Sequence, residues 1–257
     1  MNHQQTLPKL MLNCDMGESY GAWTMGMDES VMPLVDMANI ACGFHAGDPL
    51  TLSRTISFAK QACTRIGAHP SYPDLVGFGR RSMQCSAAEI IAMLQYQFGA
   101  LQGICQAQGV AVTYVKPHGA LYNDMLRDDV IFRAVLEAVA TFDASLPLMV
   151  LAGADNAARQ QIADEFNIKL LFEAFADRAY DDAGHLVSRH KDGAVYDDPQ
   201  QIVAQALSLA KHGEIQSVSG RHLPIHADTL CVHGDNPAAV SALRALRKTL
   251  DDFYAEH

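Results

Sequence analysis

The sequence lacks the apolar segments that a membrane protein requires. Its 257 residues contain no uninterrupted apolar run of about 18 residues, roughly the length of helix that crosses a bilayer. The N-terminal stretch MNHQQTLPKLMLNCD also lacks the basic region, apolar region and small-residue cleavage site of a secretory signal peptide. We therefore expect a soluble, cytoplasmic protein without a membrane partner.

Basic residues are scarce. There are 19 Lys and Arg against 29 Asp and Glu, which gives a formal net charge of −10 at pH 7. Nucleic acids and anionic membranes both attract basic patches, so this balance argues against either as a partner. Small molecules or other proteins are the expected partners.

Several motifs with known chemistry are also absent. The six cysteines form no CxxC pair, so we expect reduced thiols that fill the core as small apolar groups. The sequence has no HExxH, no GxSxG, no P-loop spacing and no GxGxxG after its first strand. These absences count against a helix-borne zinc site, a serine hydrolase, a Walker-type nucleotide site and a dinucleotide-binding sheet.

Short apolar runs alternate with longer amphipathic segments along the whole chain. The runs predict seven strands, at residues 10–14, 37–41, 65–68, 112–115, 148–152, 169–174 and 229–232. The amphipathic segments predict helices at residues 49–64, 86–108, 128–140, 156–165, 199–210 and 237–251. Helix-start signals support three of them: Asp48 and Asp198 each precede a proline, and Ser86 is followed three residues later by Glu89.

This alternation predicts an α/β fold, because parallel strands need a long crossover connection and a helix is the usual one. Polar clusters follow nearly every strand, whereas an open doubly wound sheet would concentrate them at one switch point. The pattern therefore favours a closed or nearly closed parallel (β/α) barrel that forms a single domain over residues 1–257. The long polar segment at residues 175–198 is expected to be a lid or a partner surface.

The polar residues at the strand ends fall on alternate positions. Residues two apart on a strand share a face, so each pair points to one side of the predicted barrel. The five pairs and one triplet are Asn13 and Asp15, Asn39 and His45, His69 and Ser71, Lys116 and His118, Glu173 and Asp177, and Cys231, His233 and Asp235. The carboxyl ends of barrel strands meet at one rim, so we expect these groups to gather in a common pocket.

Such a pocket could support two kinds of chemistry. Asp15, His45 and His69 could form a His/His/carboxylate metal set with an open coordination position. Alternatively, Asp15 could accept a proton from water while a histidine holds it, and Lys116 with Arg178 could stabilise charge on an acyl or phosphoryl oxygen. The glycine-containing GFGRR loop adds two arginines suited to a carboxylate or a phosphate.

Seven short blocks resemble the signature blocks of one known family, LamB/YcsF, the family of 5-oxoprolinase A subunits. They run in family order over residues 10–235 and read LNCDMGES, DMANIACGFHAGDP, IGAHPSYPD, GFGRR, VKPHGALYN, FEAFADRAYDDAGHLVSR and CVHGD. The resemblance implies a seven-stranded, TIM-like (β/α) barrel related to glycoside hydrolase and polysaccharide deacetylase folds. It also implies ATP-dependent cleavage of the lactam of 5-oxo-L-proline to L-glutamate, ADP and phosphate, together with subunits B and C.

The resemblance and the strand-end pattern together give a hypothesis for the site. We expect the partners to deliver a phosphorylated lactam and this chain to open its ring with water. The residues expected to act catalytically are Asp15 as the base, His45 and His69 beside it, and Lys116 and His118 at the leaving group. The residues expected to bind or orient the substrate are Asn13, Glu18, Asn39, Arg80, Glu173, Asp177, Arg178 and His233.

Three matters stay open at this point. The sequence does not decide whether a metal is bound, nor whether ATP contacts this chain directly. Two other functions fit the same residues: a metal-dependent carbohydrate deacetylase, and a non-catalytic subunit that presents 5-oxoproline to its partners.

Overall fold

A computed structural model describes residues 9–188, 191–234 and 236–256 of the chain. Seven strands close into a barrel in which every neighbouring pair is parallel. Their order around the barrel is β1 (Met11–Met16), β2 (Met37–Ala41), β3 (Arg65–His69), β4 (Val112–Val115), β5 (Leu148–Leu151), β6 (Leu170–Phe175) and β9 (Thr229–Cys231). The predicted seven-stranded barrel is confirmed. Asp235, one of the strand-end residues named above, lies outside the described residues, as do Arg189 and His190.

Helices connect most of the strands on the outside of the barrel. They are α1 (Asp28–Val31), α2 (Pro49–Ala62), α3 (Ala87–Ala107), α4 (Gly119–Met125), α5 (Asp129–Asp143), α6 (Asn156–Asp164), α7 (Pro199–His212) and α8 (Pro237–Ala255). The start signals act as expected: the Asp48 side chain accepts hydrogen bonds from two backbone amides of α2, and Ser86 and Glu89 form a capping box on α3. All six predicted helices are present, with ends that differ by a few residues.

Five short elements were not predicted as such. Helix α1 and a 3-10 turn at Met32–Leu34 lie between β1 and β2, and α4 directly follows the KPHG stretch. A two-stranded antiparallel hairpin, β7 (Glu214–Gln216) with β8 (His222–Pro224), lies outside the barrel. Each is only three to seven residues long, too short for hydrophobic periodicity to distinguish it from a turn.

Alternation along the strands separates two environments. On β1, Leu12 and Cys14 pack in the main core formed with the helices, whereas Asn13 and Asp15 make contacts across the barrel interior. The lower interior is apolar and contains Met37, Tyr114, Met149 and Leu171, with Met11 packed against them. The barrel thus has an apolar floor beneath a polar layer, and that polar layer supports the site.

One glycine makes room for this floor. A Cβ added at Gly67 on β3 would meet the Tyr114 ring at 2.2 Å, far inside van der Waals contact. Only glycine leaves space for the ring, whose hydroxyl donates to Asn39 Oδ1 at 2.7 Å. Gly67 therefore allows Tyr114 to pack its ring in the floor while its hydroxyl reaches the polar layer above.

The segment between β6 and α7 folds back on itself over the barrel mouth. Arg178 bridges to Val195, and Tyr180 bridges to Leu186. The Tyr180 hydroxyl accepts a hydrogen bond of 2.8 Å from the backbone amide of Phe175, which fixes the start of the segment. It supplies Arg178 and Leu186 to the wall of the cavity described below, and its role as a lid or partner surface stays a prediction.

None of the helices in the described part of the chain is both long enough and apolar enough to cross a membrane.

Candidate functional site

A cavity of about 570 Å³ opens at the carboxyl ends of the barrel strands. We call it the mouth cavity. Eight of the residues predicted from the sequence line it: Asp15, Glu18, His69, Arg80, Lys116, His118, Arg178 and His233. Residues far apart in sequence therefore converge as the strand-end pattern predicted.

The other five predicted residues lie next to the mouth cavity. Asn13, Asn39 and Glu173 are fully buried below it. His45 is buried behind His118, and its ring stacks on the His118 ring with centroids 3.7 Å apart. Asp177 lines a neighbouring cavity of about 300 Å³, which His233 also contacts. The three residues below the cavity are placed to position other groups more readily than to touch a ligand in it.

Lys116 is the central cation of the site. Its Nζ lies 3.0 Å from Asp15 Oδ1 and 2.7 Å from Glu173 Oε1, and it donates to Asn13 Oδ1 at 3.2 Å. Burial acts to lower the pKa of Lys116, but the neighbouring anionic groups, Asp15 first, outweigh it and hold the pKa well above its ordinary value. Lys116 is therefore a fixed positive charge between two carboxylates.

Asp15 is the carboxylate at the floor of the mouth cavity. Burial acts to raise its pKa, but the charges of His69 and Lys116 outweigh burial and hold the pKa well below its ordinary value. Its Oδ1 accepts from Lys116 and from Asn39 Nδ2, the latter at 2.7 Å, and its Oδ2 lies 3.4 Å from His69 Nε2. Asp15 is thus an ionised carboxylate held from two sides, with one oxygen facing the histidines.

A chain of amide and hydroxyl groups holds this pair from below. Asn39 Nδ2 donates to Asn13 Oδ1 at 2.8 Å, and Asn13 Nδ2 donates to Thr229 Oγ1 at 2.9 Å. On the other side, the Tyr122 hydroxyl donates to Glu173 Oε2 at 3.1 Å. These bonds fix the side chains below Asp15 and Lys116, so both reactive groups are positioned before any ligand binds.

The hydrogen bonds of three buried histidines define their tautomers. His69 Nδ1 lies 2.7 Å from the backbone oxygen of Lys116, and His118 Nε2 lies 2.9 Å from that of Phe78. A carbonyl oxygen only accepts, so both nitrogens carry hydrogen. The same reasoning applies to His45 Nδ1, 3.0 Å from Ser71 Oγ, because that hydroxyl gives its own hydrogen to the oxygen of Tyr72.

The contact between His69 and His118 then requires an additional positive charge. His69 Nε2 and His118 Nδ1 are 2.9 Å apart, which requires a hydrogen between them. The outer bonds already use one N–H from each ring, and two neutral imidazoles supply only two. Either an extra proton or another cation must therefore lie between these two nitrogens. Burial lowers the pKa of His118 and of His45 well below the ordinary value, which disfavours a proton on either ring.

Glu18 completes this group. Its Oε1 lies 3.5 Å from His45 Nε2 and 3.7 Å from His118 Nδ1. One ligand atom from each of Glu18, His45, His69 and His118 lies within 4.8 Å of all the others. We call these four residues the histidine cluster. They are the residues of the site whose donor atoms could hold a metal ion.

The rim carries the predicted arginines in different settings. Arg80 is exposed at the mouth, with its guanidinium 5.0 Å from the centre of the Phe78 ring. Arg81, the other cation of the GFGRR loop, pairs with Asp74 and so stabilises the loop itself. Arg178 donates to the backbone oxygens of Val187 and Ala194 at 2.7 Å and 3.3 Å, while His233 Nδ1 lies 2.5 Å from Asp177 Oδ2. Arg80 is therefore the rim cation best exposed to an arriving anion.

Sequence reasoning missed several groups that complete the site. Tyr122 follows His118 by four residues, a helical spacing that could have placed it on the same face. Thr229 shares its strand face with Cys231 and His233, so the alternation rule could have found it. The backbone oxygens of Lys116 and Phe78 had no sequence signal, because every residue carries a carbonyl.

Comparisons with known proteins consistently match the chain to one family. The sequence profile of the LamB/YcsF family matches residues 10–256. The chain is 56% identical to the second 5-oxoprolinase A subunit of Pseudomonas putida over 96% of each protein. It is 57% identical to the third 5-oxoprolinase A subunit of Pseudomonas aeruginosa over 95% of this chain and 97% of that protein. The crystal structure of a lactam utilization protein from Thermus thermophilus superposes with a TM-score of 0.89 at 41% identity, covering 95% of this chain and 97% of that one.

Proposed function

The chain belongs to the LamB/YcsF family, and from that premise we propose that it is the A subunit of a cytoplasmic, ATP-dependent 5-oxoprolinase that opens the lactam ring of 5-oxo-L-proline. The observation that carries the proposal is the convergence of Asp15, Lys116, His69 and His118 in one cavity at the barrel mouth. The names of the relatives supply the substrate class, and the cavity supplies the chemical groups that such a reaction requires.

A five-membered lactam is a stabilised amide that water attacks slowly at neutral pH. Transfer of a phosphoryl group from ATP to the amide oxygen would make the ring carbon more electrophilic. We assign that step to subunits B and C, and ring opening to the mouth cavity. Water would add to the activated carbon, the C–N bond would break, and the nitrogen would take up a proton to become the α-amino group. A second water would release phosphate from the resulting acyl phosphate, giving L-glutamate.

Asp15 is the group in the cavity best placed to receive the proton of the attacking water. In the resting site its low pKa makes it a weak base, because Lys116 and the histidines stabilise its negative charge. An anionic substrate oxygen close to Lys116 would compete with Asp15 for that cation and place a second negative charge beside Asp15. The pKa of Asp15 would then rise, and its carboxylate would become a stronger base at the moment of attack.

The remaining groups would have different roles, according to their charge and their position in the cavity. Lys116 would stabilise the oxygen on which negative charge develops, and the positive charge between His69 and His118 would polarise the activated lactam. Arg80 and Arg178, on the rim and wall, would hold the carboxylate or phosphate of the substrate. Asn13, Asn39 and Glu173 would keep Asp15 and Lys116 in place from below.

Omission of single subunits tests the proposal. Purified chain and partner subunits B and C are mixed with 5-oxo-L-proline and ATP, and L-glutamate is measured with each subunit left out in turn. We expect glutamate only from the complete mixture. Glutamate formation by B and C alone would contradict a catalytic role and favour a subunit that presents substrate. Release of acetate from acetylated sugars by this chain alone would identify a deacetylase instead.

A further inference from the structure

We propose that the histidine cluster, Glu18 with His45, His69 and His118, binds one divalent transition-metal ion such as Zn²⁺. This inference goes beyond the proposed function, since it concerns what the chain binds before any substrate or partner is present. It rests on the geometry of the cluster alone.

The two nitrogens of each histidine ring in the cluster have different surroundings. In each histidine the nitrogen that carries hydrogen is bound to an acceptor outside the cluster: the Lys116 oxygen, the Phe78 oxygen and Ser71 Oγ. The lone pairs that remain are on His45 Nε2, His69 Nε2 and His118 Nδ1. His118 Nδ1 lies 2.9 Å from His69 Nε2, and Glu18 Oε1 lies 3.5 Å from His45 Nε2 and 3.7 Å from His118 Nδ1. Metal-binding histidines show this pattern, with one nitrogen on the ion and the other fixed by a hydrogen bond.

His45 has a buried ring nitrogen without a hydrogen-bond partner among the described residues. Its side chain is completely buried, and no group in the described residues forms a hydrogen bond with Nε2. A buried polar nitrogen without a hydrogen bond is costly and uncommon in folded proteins. An extra proton between His69 and His118 would satisfy that pair but would leave His45 Nε2 without a hydrogen bond. A cation at the centre of the cluster would satisfy all three nitrogens and would supply the positive charge that the pair requires.

The donor set indicates the class of ion. Three imidazoles and one carboxylate suit Zn²⁺ and neighbouring first-row dications, whereas Mg²⁺ and Ca²⁺ prefer oxygen ligands throughout. Asp15 Oδ2 is 3.4 Å from His69 Nε2, so a bound ion would lie in the same cavity as this carboxylate.

One structural change must accompany binding. The His45 and His118 rings are stacked at an interplanar angle of 3°, and two parallel rings cannot both point their lone pairs at one ion. The His45 ring must therefore tilt.

Metal content tests the proposal without reference to activity. The full chain is stripped with a chelator, incubated with Zn²⁺, freed of excess ion and analysed by mass spectrometry for zinc per chain, and the affinity is measured by calorimetry. We expect close to one equivalent, with Mg²⁺ unable to replace it. His45→Gln and Glu18→Gln should each weaken Zn²⁺ binding at least tenfold. Ser71→Ala, which removes the hydrogen bond that orients the His45 ring, should weaken it about 10- to 100-fold.

The control is His233→Gln, which changes a histidine of the same cavity that pairs with Asp177 and lies outside the cluster. It should keep full stoichiometry and affinity. Circular dichroism establishes that each variant is folded, and Co²⁺ loading gives a visible spectrum that the cluster variants should lose. Less than one tenth of an equivalent in the folded wild-type chain, or equal binding by wild type and His45→Gln, would overturn the proposal. Neither result bears on whether the chain takes part in glutamate formation.

Discussion

Replacing Lys116 with methionine should destabilise the barrel strongly, since the substitution keeps an unbranched side chain but removes its charge. Lys116 is only 3% exposed and contacts the carboxylates of Asp15 and Glu173 at 3.0 Å and 2.7 Å. Without it, the fully buried carboxylate of Glu173 and the partly buried carboxylate of Asp15 lose their shared cation. Breaking a buried ion pair from one side costs about 3–5 kcal/mol. For a chain of this size, that corresponds to a fall in melting temperature of roughly 6–20 °C.

The assay is urea unfolding followed by circular dichroism, with the free energy of unfolding compared between wild type and variants. Lys248→Met is the matched control, because that lysine pairs with Asp252 on the exposed face of α8, with side chains 81% and 62% exposed. Its loss should stay below about 1 kcal/mol. The double variant Lys116→Met/Glu173→Gln should be more stable than Lys116→Met alone, because one uncompensated charge is then removed. Equal stability losses for Lys116→Met and Lys248→Met would refute the reasoning.

Three further predictions concern a glycine near the site and two helix ends. Gly79 has φ +64°, and an added Cβ would lie 2.8 Å from both His118 Cδ2 and His45 Cβ. Gly79→Ala should therefore reduce glutamate formation by the complete subunit mixture. Unchanged turnover would show that the His45–His118 stack is unimportant for the reaction. Cys63 ends α2 with φ 56°, so Cys63→Gly should raise the free energy of unfolding by about 1 kcal/mol, and a decrease would contradict this. Hydrogen bonds from Thr51 and from backbone amides lower the pKa of Asp48 to about 2. Because the folded-state pKa is the lower one, its stabilisation is present above the unfolded value near 4 and is lost as pH falls towards 2. The stability difference between wild type and Asp48→Asn, measured by urea unfolding, should shrink from pH 7 to pH 3, and a constant difference would argue against an ionised cap.

The alternation of residues along the strands predicted the face of the barrel on which each polar residue lies, but not its height. Asn13 and Asp15 share the interior face of β1, as expected. The structure places Asn13 one layer lower, where its side-chain amide forms hydrogen bonds with Asn39 and Thr229. Height depends on the stagger between neighbouring strands, and hydrogen-bond register across a barrel is not encoded in any one segment.

Loop residues were harder to place than strand residues. His45 lies four residues beyond the end of β2, where the period-two rule no longer applies. Its position depends on the turn that follows and on the stack with His118. Likewise, the two arginines of the GFGRR loop were equivalent in sequence, and only folding pairs Arg81 with Asp74 and leaves Arg80 at the cavity. Contacts between loops form only in three dimensions, so a single sequence carries little information about them.

The turnover of Asp15→Asn tests the central claim most directly. The variant is combined with intact partner subunits, and ATP-dependent formation of L-glutamate is compared with that of wild type and of Asp252→Asn, a matched change on the exposed face of α8. If the mouth cavity opens the lactam with Asp15 as its base, kcat should fall by about 10²-fold or more in Asp15→Asn while the fold is retained. Asp252→Asn should behave as wild type. Undiminished glutamate formation by a folded Asp15→Asn chain would contradict the assignment of the chemistry to this cavity.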